Sequence, residues 1–302
     1  MTVIERKALP SSSRGNFLET QQSHVLEAES NPMKYLLAGL TLILLFVIAA
    51  VNPMRPQAQA SSRTPETART PVVVELFTSE GCSSCPPADA LLARLSEGQL
   101  DGNVQLIALE EHVDYWNDLG WTDPFSSRDW TLRQNVYSGV LRNGNPYTPQ
   151  MVVDGTAEFV GGSAQQARRA IHEAAGKAKI LVTLAQGNAG KSGTGSFSVA
   201  VGKLEGAAKR DAAEVWLAIT ETGLHSAVTR GENAGEDLHH AAVVRSMRKV
   251  GEAKAEGETS FAGDATVPLQ KDWKRENLRA VVFVQEKQSR RILGAAEIRI
   301  AQ

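Results

Sequence analysis

Cysteine is nearly absent from this chain, since its 302 residues contain only two. So low a count excludes a small fold held together by a framework of disulfides. The net charge is also small, at −2, and no long run of one sign occurs, so the sequence lacks the basic surface of a nucleic-acid-binding protein. Hydrophobic residues make up 42% and charged residues 22%, which is typical of a globular protein. We therefore expect about two globular domains and no nucleic-acid partner.

The two cysteines form a single Cys-x-x-Cys pair, Cys82 and Cys85, with Ser83 and Ser84 between them. A disulfide that closes so short a ring removes little entropy from the unfolded chain, and so adds little stability. The spacing favours thiol–disulfide chemistry over a structural role.

An uncharged and mostly apolar segment covers residues 35–54. Lys34 precedes it, and Ala58-Gln59-Ala60 follows it. This pattern is typical of a secretory signal peptide, here residues 33–60, with cleavage after Ala60. An uncleaved membrane anchor is the alternative, because about 17–20 apolar residues can span a bilayer. Both alternatives predict an exported protein, either periplasmic or secreted, or anchored to the membrane and facing the periplasm.

The segments on either side of this signal are polar. Residues 1–32 show no helical or strand periodicity, and Met33-Lys34 is itself a conventional start for a signal peptide. We hypothesise that translation begins at Met33 and that residues 1–32 are not translated. Residues 61–70 are predicted to form a linker, so that the folded protein begins near Pro71.

A strand followed by a helix is predicted around the cysteines. Residues 72–78 are mostly apolar and β-branched, as in a buried central strand. After the pair, Leu91, Leu92 and Leu95 form an apolar helical stripe. The cysteines therefore lie at a helix N-terminus, where the helix dipole stabilises a thiolate. Further elements are predicted as strands at 104–109 and 150–153 and a helix at 164–175.

Three motifs occur along this region: ELFTSEGCSSCPPADALL at 75–92, HVDYW at 112–116 and YTPQMVVDG at 147–155. Together they resemble a family of secreted bacterial proteins, a domain of unknown function on a thioredoxin-like fold. The resemblance implies an α/β thioredoxin-like domain at residues 71–176, but it implies no established reaction.

The wider thioredoxin superfamily implies roles for four residues. Cys82 would be the exposed attacking thiol, and Cys85 would resolve the mixed disulfide. Pro149 would be a cis-proline facing the pair, and the carbonyl of Thr148 would bind an extended substrate backbone.

Glu75 is a further candidate, seven residues before Cys82 on the first strand. One interpretation is that its carboxylate accepts the proton of Cys85 during exchange. The other is that it is a strand-end glutamate facing solvent.

An aromatic insertion is predicted at about residues 110–146, between two strands of this domain. His112, Tyr115, Trp116 and Trp121 are candidates for binding a substrate, as aromatic anchors that carry polar atoms. The alternative is a small helical segment whose tryptophans fill its own core.

Residues 178–302 contain about seven short strand-like runs, separated by Gly, Asp and Asn. Alternation is clear at Phe197, Val199 and Val201, and the pattern predicts an all-β, sandwich-like second domain. A charged loop at 229–240 either packs against the cysteine face or forms a solvated hairpin.

Three functions follow from these observations. The first is a thiol–disulfide oxidoreductase that acts on protein thiols or disulfides without a cofactor. The second is a metal-handling protein that uses Cys82, Cys85 and His112 as ligands. The third is a partner-binding module in which the cysteines form a fixed disulfide.

Overall fold

A computed structural model describes residues 69–98, 100, 102–141, 144–187, 193–204, 212–254 and 257–301. The predicted signal or anchor at 33–60, the extension at 1–32 and nearly all of the linker at 61–70 lie outside these residues. Within the described part, no helix is long and apolar enough to cross a membrane.

The described residues form three α-helices, one short 3₁₀ helix and thirteen strands. The α-helices are α1 (Pro86–Ser96), α2 (Arg128–Leu141) and α3 (Ala164–Ala175), and the 3₁₀ helix is Arg275–Asn277. The strands of the first half are β1 (Thr70–Thr78), β2 (Val104–His112), β3 (Gln150–Val153) and β4 (Ala157–Val160). Those that follow are β5 (Val182–Gln186), β6 (Thr194–Gly202), β7 (Ala213–Glu221), β8 (Leu224–Ala227), β9 (Asp237–His240), β10 (Val243–Ala253), β11 (Thr259–Pro268), β12 (Leu278–Glu286) and β13 (Ile292–Arg299).

One mixed sheet of eight strands runs through both halves of the chain, in the order β13-β12-β7-β10-β2-β1-β3-β4. The parallel pair β1 and β2 begins with Thr70 opposite Val104. Strand β10 joins them by pairing in parallel with β2, with Val243 opposite Glu110.

This sheet contradicts the predicted fold class, an α/β thioredoxin-like domain followed by an all-β domain. The structure is mostly β, and strands that come after residue 212 extend the sheet that contains β1, the strand that precedes the cysteines. The physical reason is that apolar periodicity indicates where a strand lies, but not which strand it pairs with. The partner of β2 on one side comes from a segment that begins 131 positions after His112, at Val243.

Strand β1 is buried on both faces, which explains its nearly continuous apolar run. On one face, Val72, Val74 and Leu76 pack against helices α1 and α3. On the other face, Val73 packs with Ile107 and Trp130, in a cluster that reaches β12 through Phe283.

A second sheet of three strands, in the order β11-β6-β5, covers the far part of the large sheet. Phe197, Val199 and Val201 on β6 belong to the same core as Leu217 and Val282 of the large sheet. Two sheets therefore do face each other here, but one of them is the eight-stranded sheet shared with the cysteine region.

The parallel pair β1 and β2 places two strand ends beside residues 79–85, which connect β1 to α1 and are called the cysteine loop below. Thr78 is opposite His112 at the ends of β1 and β2. The hairpin β8–β9 ends at His240. Two residues later, the backbone carbonyl of Ala242 accepts a hydrogen bond from the backbone N–H of Glu110 on β2. The fold thus gathers residues 79–82, 110–112 and 240–242 at the C-terminal ends of the central strands β1 and β2.

Candidate functional site

Cys82 and Cys85 form a disulfide with their Cα atoms 5.4 Å apart, which confirms the predicted bond. Cys85 is the N-cap residue of α1, and Pro86 and Pro87 occupy the first two helical positions. Prolines are tolerated there because the first turn has no intrahelical use for their missing N–H groups. The disulfide therefore lies at the start of a regular helix.

Both cysteines are completely buried, whereas Ser83 and Ser84 between them are exposed. The expectation that Cys82 is the exposed member of the pair was wrong for this conformation. The Oγ of Ser84 lies 3.4 Å from Sγ of Cys82, so the buried sulfur has a hydroxyl beside it.

Residues 228–236 connect β8 to β9, contact the loop that carries the cysteines, and are called the covering loop below. The side-chain amide of Asn233 donates to the backbone carbonyls of Glu80, at 2.8 Å, and Cys82, at 3.1 Å. A carboxylate oxygen of Glu232 accepts from the backbone N–H of Ser83 at 3.1 Å. Of the two interpretations of the charged loop at 229–240, the structure shows the one in which it packs against the cysteine face.

Trp116 connects the cysteine loop to the Thr148–Pro149 segment. Its indole N–H donates to the hydroxyl of Thr148 at 2.9 Å. Its Cβ would lie 3.0 Å from a Cβ built on Gly81, so the residue before Cys82 has little room for a side chain. The Thr148–Pro149 peptide bond is cis, as the resemblance implied.

Pro149 and helix α1 both approach Gly161. A Cβ built on Gly161 would lie 2.8 Å from Leu76, 3.1 Å from Ala88 and 3.3 Å from Pro149. The absence of a side chain at Gly161 therefore lets the Pro149 segment come close to the helix that carries the cysteines.

The other aromatic candidates have different surroundings. The indole N–H of Trp121 donates to a carboxylate oxygen of Glu80 at 2.8 Å, so Trp121 also lies beside the cysteine loop. Tyr115 is 38% exposed and its hydroxyl donates to Gln134 of α2 at 3.1 Å. The structure thus brings Trp116 and Trp121 to the cysteine loop, while Tyr115 contacts α2.

Glu75 fits neither of its two interpretations. It is completely buried, so it does not face solvent. Its carboxylate oxygens accept from Arg133 Nε and from the hydroxyl of Tyr137, each at 2.5 Å. Because Val74 and Leu76 on either side of it pack against α1, the alternation of the strand directs Glu75 to the opposite face of the sheet. There it neutralises a buried arginine.

Beneath the cysteine loop lies a buried cluster that the sequence did not reveal as a unit. We call it the imidazole cluster, and its members are Glu80, Glu110, His112, Asp123 and His240. Nδ1 of His112 lies 2.7 Å from Asp123 Oδ2, and its Nε2 lies 3.4 Å from Glu110 Oε1. Nδ1 of His240 lies 2.7 Å from the same Glu110 oxygen, and its Nε2 lies 3.1 Å from Glu80 Oε1.

The carboxylates dominate the electrostatics of this cluster. Burial alone would lower the pKa of His112, but the charge and hydrogen bond of Asp123 and the neighbouring carboxylate of Glu110 outweigh burial and raise it well above its usual value. Burial likewise opposes the rise at His240, where Glu110 and Glu80 raise the pKa to about 9. Burial raises the pKa of Asp89 on α1 to about 7, helped by the charge of Glu110.

One signal in the sequence pointed to this cluster. The strand residues 106–109 are apolar, and the polar run Glu110-Glu111-His112 follows before the strand ends. Side chains at strand ends beside a Cys-x-x-Cys loop are natural candidates for a site. The partner His240 was noticed only as part of a charged loop, because nothing local indicates that it meets Glu110.

One protein-family model matches most of the described chain. Residues 73–285 match the model of the family described as "Protein of unknown function (DUF1223)". The chain belongs to this family. A comparison with curated protein sequences gives no significant match.

Two solved structures resemble this DUF1223 chain over most of its length. Protein AGR_C_4864 from Agrobacterium tumefaciens is 26% identical, with a TM-score of 0.57, and the match covers 78% of this chain and 96% of that one. HBP35 of Porphyromonas gingivalis is 16% identical, with a TM-score of 0.62, and the match covers 77% of this chain and 76% of that one. At that identity, the second likeness shows the fold alone.

Proposed function

We propose that this protein is an exported thiol–disulfide oxidoreductase that acts on protein thiols or disulfides through Cys82 and Cys85. The observation that carries the proposal is the position of the disulfide at the N-cap of α1. A thiolate formed there is stabilised by the helix dipole.

The exchange follows from ordinary thiol–disulfide chemistry. A thiolate of the substrate protein attacks Sγ of Cys82, the Cys82–Cys85 bond breaks, and Cys85 leaves as a thiolate. A second substrate thiolate then attacks the substrate sulfur of the mixed disulfide. The substrate gains a disulfide, and this protein is left with two reduced cysteines. In the reverse direction, the Cys82 thiolate attacks a substrate disulfide and Cys85 displaces the reduced substrate.

Access to Cys82 requires a local opening around the pair, because both sulfurs are buried, and we propose that the covering loop is the part that moves. Between this loop and residues 80–83, Glu232 accepts one hydrogen bond from Ser83, and Asn233 donates two, to the carbonyls of Glu80 and Cys82. Each such bond contributes about 1 kcal/mol net. In this proposal, displacement of the connection between β8 and β9 exposes the disulfide and leaves the large sheet in place.

The disulfide also indicates the compartment in which we propose that the protein works. Disulfides persist in oxidising compartments and are rare in the cytosol, so the bond favours a location outside the cytoplasm. We propose that residues 33–60 direct export to the periplasm or beyond, and that the chain contacts the membrane only if this segment stays uncleaved.

Complete burial of both sulfurs favours a second candidate, the partner-binding module with a fixed disulfide. The metal-handling alternative with Cys82, Cys85 and His112 would require reduction first, because a disulfide offers no thiolate ligand. Among the described residues, the group around His112 that could hold a metal consists of His112, Glu110 and His240, without a cysteine.

The deciding measurement is the reduction potential of the pair. The exported chain is equilibrated in glutathione or dithiothreitol redox buffers, and free thiols are alkylated and counted by mass. A potential between about −120 and −270 mV supports exchange, whereas one below about −300 mV indicates a fixed disulfide.

A trapping experiment then tests the roles of the two sulfurs. Cys85→Ser should accumulate mixed disulfides with proteins of the same compartment, because no resolving thiol remains. Cys82→Ser should accumulate none, and Ser83→Ala is the matched control that keeps both cysteines. Capture by neither cysteine variant would refute the proposal.

A further inference from the structure

Three donor atoms converge inside the imidazole cluster: Glu110 Oε1, His112 Nε2 and His240 Nδ1. All three residues are completely or nearly completely buried, and their donor atoms lie within 4.8 Å of one another. The carboxylate oxygen is 3.4 Å from the His112 nitrogen and 2.7 Å from the His240 nitrogen. In a tetrahedral zinc site with bonds of about 2.0–2.1 Å, neighbouring donors are about 3.3 Å apart. The Glu110–His112 pair already has this spacing, and the Glu110–His240 pair would have to open by about 0.6 Å for a metal to enter.

His112 Nε2 supplies an independent observation, since it is buried and has no hydrogen-bond partner. Buried polar atoms are nearly always hydrogen-bonded, and one that is not requires an explanation. This nitrogen faces Glu110 Oε1 at a distance too long for a good hydrogen bond to a carboxylate. A cation between the two atoms would give both of them a partner.

The remaining nitrogen of each imidazole is held by a carboxylate. His112 Nδ1 is bonded to Asp123, and His240 Nε2 is bonded to Glu80. A metal-ligating histidine nearly always donates its other N–H to a carboxylate or carbonyl, which fixes the ring orientation and the tautomer. Both histidines of the cluster have this arrangement.

These two carboxylates are themselves fixed by further hydrogen bonds. The Asp123 oxygens accept from the backbone N–H groups of Glu80 and Phe125, each at 2.8 Å. The second oxygen of Glu80 accepts from Trp121 Nε1 at 2.8 Å. The ring positions are therefore set by the fold and do not depend on a bound ion.

We propose that Glu110, His112 and His240 bind one divalent transition-metal cation, with Zn²⁺ as the best match to two imidazoles and one carboxylate. A fourth position remains for water, as in zinc sites that have three protein ligands. Glu80, Glu110 and Asp123 place three carboxylates around two imidazoles, and a cation offsets this buried negative charge. The site is independent of the thiol chemistry, since it uses neither cysteine.

The cation would join two distant parts of the chain. Glu110 and His112 end β2, and His240 ends β9. The side chain of Glu80 is hydrogen-bonded to His240, and the backbone carbonyl of Glu80 accepts from Asn233 of the covering loop. The occupied site would therefore also hold this part of the covering loop in place. Binding is therefore expected to raise the melting temperature of the disulfide-bonded chain.

The test is calorimetric titration of the metal-stripped, disulfide-bonded protein with Zn²⁺ alone. One equivalent is expected to bind, and His112→Gln and His240→Gln are each expected to abolish this binding. Asp123→Asn, which removes the charge behind His112, should weaken it by about 10- to 100-fold. Thermal unfolding of each unliganded variant checks that it is folded.

An exposed histidine pair in the same hairpin provides the matched control. His225 and His239 stack on each other beside Asp237, and both lie on the surface. The double variant His225→Gln/His239→Gln should bind Zn²⁺ as the wild type does. Loss of binding in this variant, with retention in His112→Gln and His240→Gln, would assign the zinc to the surface and overturn the proposal.

X-ray absorption of the Zn²⁺-loaded wild type keeps the test decisive if the buried variants do not fold. The expected spectrum has a shell of nitrogen and oxygen with the outer scattering of two imidazoles. A shell that contains sulfur, or a wild type that binds no zinc, would overturn the proposal. Neither outcome bears on the reduction potential of the cysteine pair, so the two proposals succeed or fail separately.

Discussion

The side-chain amide of Asn233 donates a hydrogen bond to the backbone carbonyl of Cys82 at 3.1 Å, although 151 positions separate the two residues. The same amide donates to the carbonyl of Glu80, and Asn233 is almost completely buried. One side chain of the covering loop thus satisfies two carbonyls of the cysteine loop.

Replacement of this side chain should expose the disulfide. Asn233→Ala removes the side-chain donor from both carbonyls, although that of Cys82 keeps the N–H of Cys85, and it should cost about 1–3 kcal/mol and accelerate reduction by dithiothreitol. Glu232→Ala is the comparison, because it removes one bond at an exposed position and should cost less stability than Asn233→Ala does. The measurements are the reduction rate and the free energy of unfolding. An unchanged reduction rate in Asn233→Ala would show that the covering loop does not control access.

Loss of the disulfide should destabilise the protein only modestly. For a ring that spans a sequence separation of three, the chain-entropy contribution is about 2 kcal/mol. The double variant Cys82→Ala/Cys85→Ala should therefore lose at most about this amount in urea unfolding, and should keep its circular dichroism spectrum. A much larger loss would favour the fixed, structural disulfide over the exchanging one.

The bond between Trp116 and Thr148 can be measured by a double-mutant cycle. Trp116→Phe keeps most of the ring beside Gly81 but removes the indole N–H, and Thr148→Val removes the acceptor hydroxyl. Each change should cost about 1 kcal/mol, and together they should cost less than the sum, because they break the same bond. A coupling energy of zero in urea unfolding would show that this contact adds no stability.

Glu111 predicts a pH dependence of stability. It is buried, and both of its carboxylate oxygens lack a hydrogen-bond partner. Burial, and next the charge of Glu75, raise its pKa well above the ordinary value of 4.5. The folded state then holds the proton more tightly than the unfolded state does. Its contribution to stability is therefore fully present below about pH 4.5 and is lost as the pH rises toward the folded-state pKa.

Glu111→Gln keeps the shape of the side chain and removes this titration. The variant should lose less stability than the wild type between pH 5 and 8, by the free energy of urea unfolding at a series of pH values. Glu252→Gln, at an exposed position, is the control and should follow the wild type. Parallel curves for wild type and Glu111→Gln would mean that Glu111 is already ionised in the folded protein.

The sequence predicted the local features of the site better than the distant ones. The strand before Cys82, the helix after Cys85 and the cis bond at Pro149 depend on neighbouring residues, and the structure contains all three. The side of the sheet that Glu75 faces was not predictable, because β1 is apolar on both faces and its alternation gives no phase. The contact of His240 with Glu110 spans 130 positions, and no local pattern encodes it.

The pairing of Val243 with Glu110 affects the order in which the parts of the large sheet can fold. A chain that leaves the ribosome or crosses a membrane with its N-terminus first delivers β2 long before β10. Until residue 243 has emerged, β2 lacks its neighbour on that side, and its free N–H and C=O groups are open to pairing with another chain. His240 arrives just before β10, so the imidazole cluster and the closed edge of β2 are completed at nearly the same moment. The cysteines can meet and oxidise earlier, next to a strand whose sheet is still unfinished.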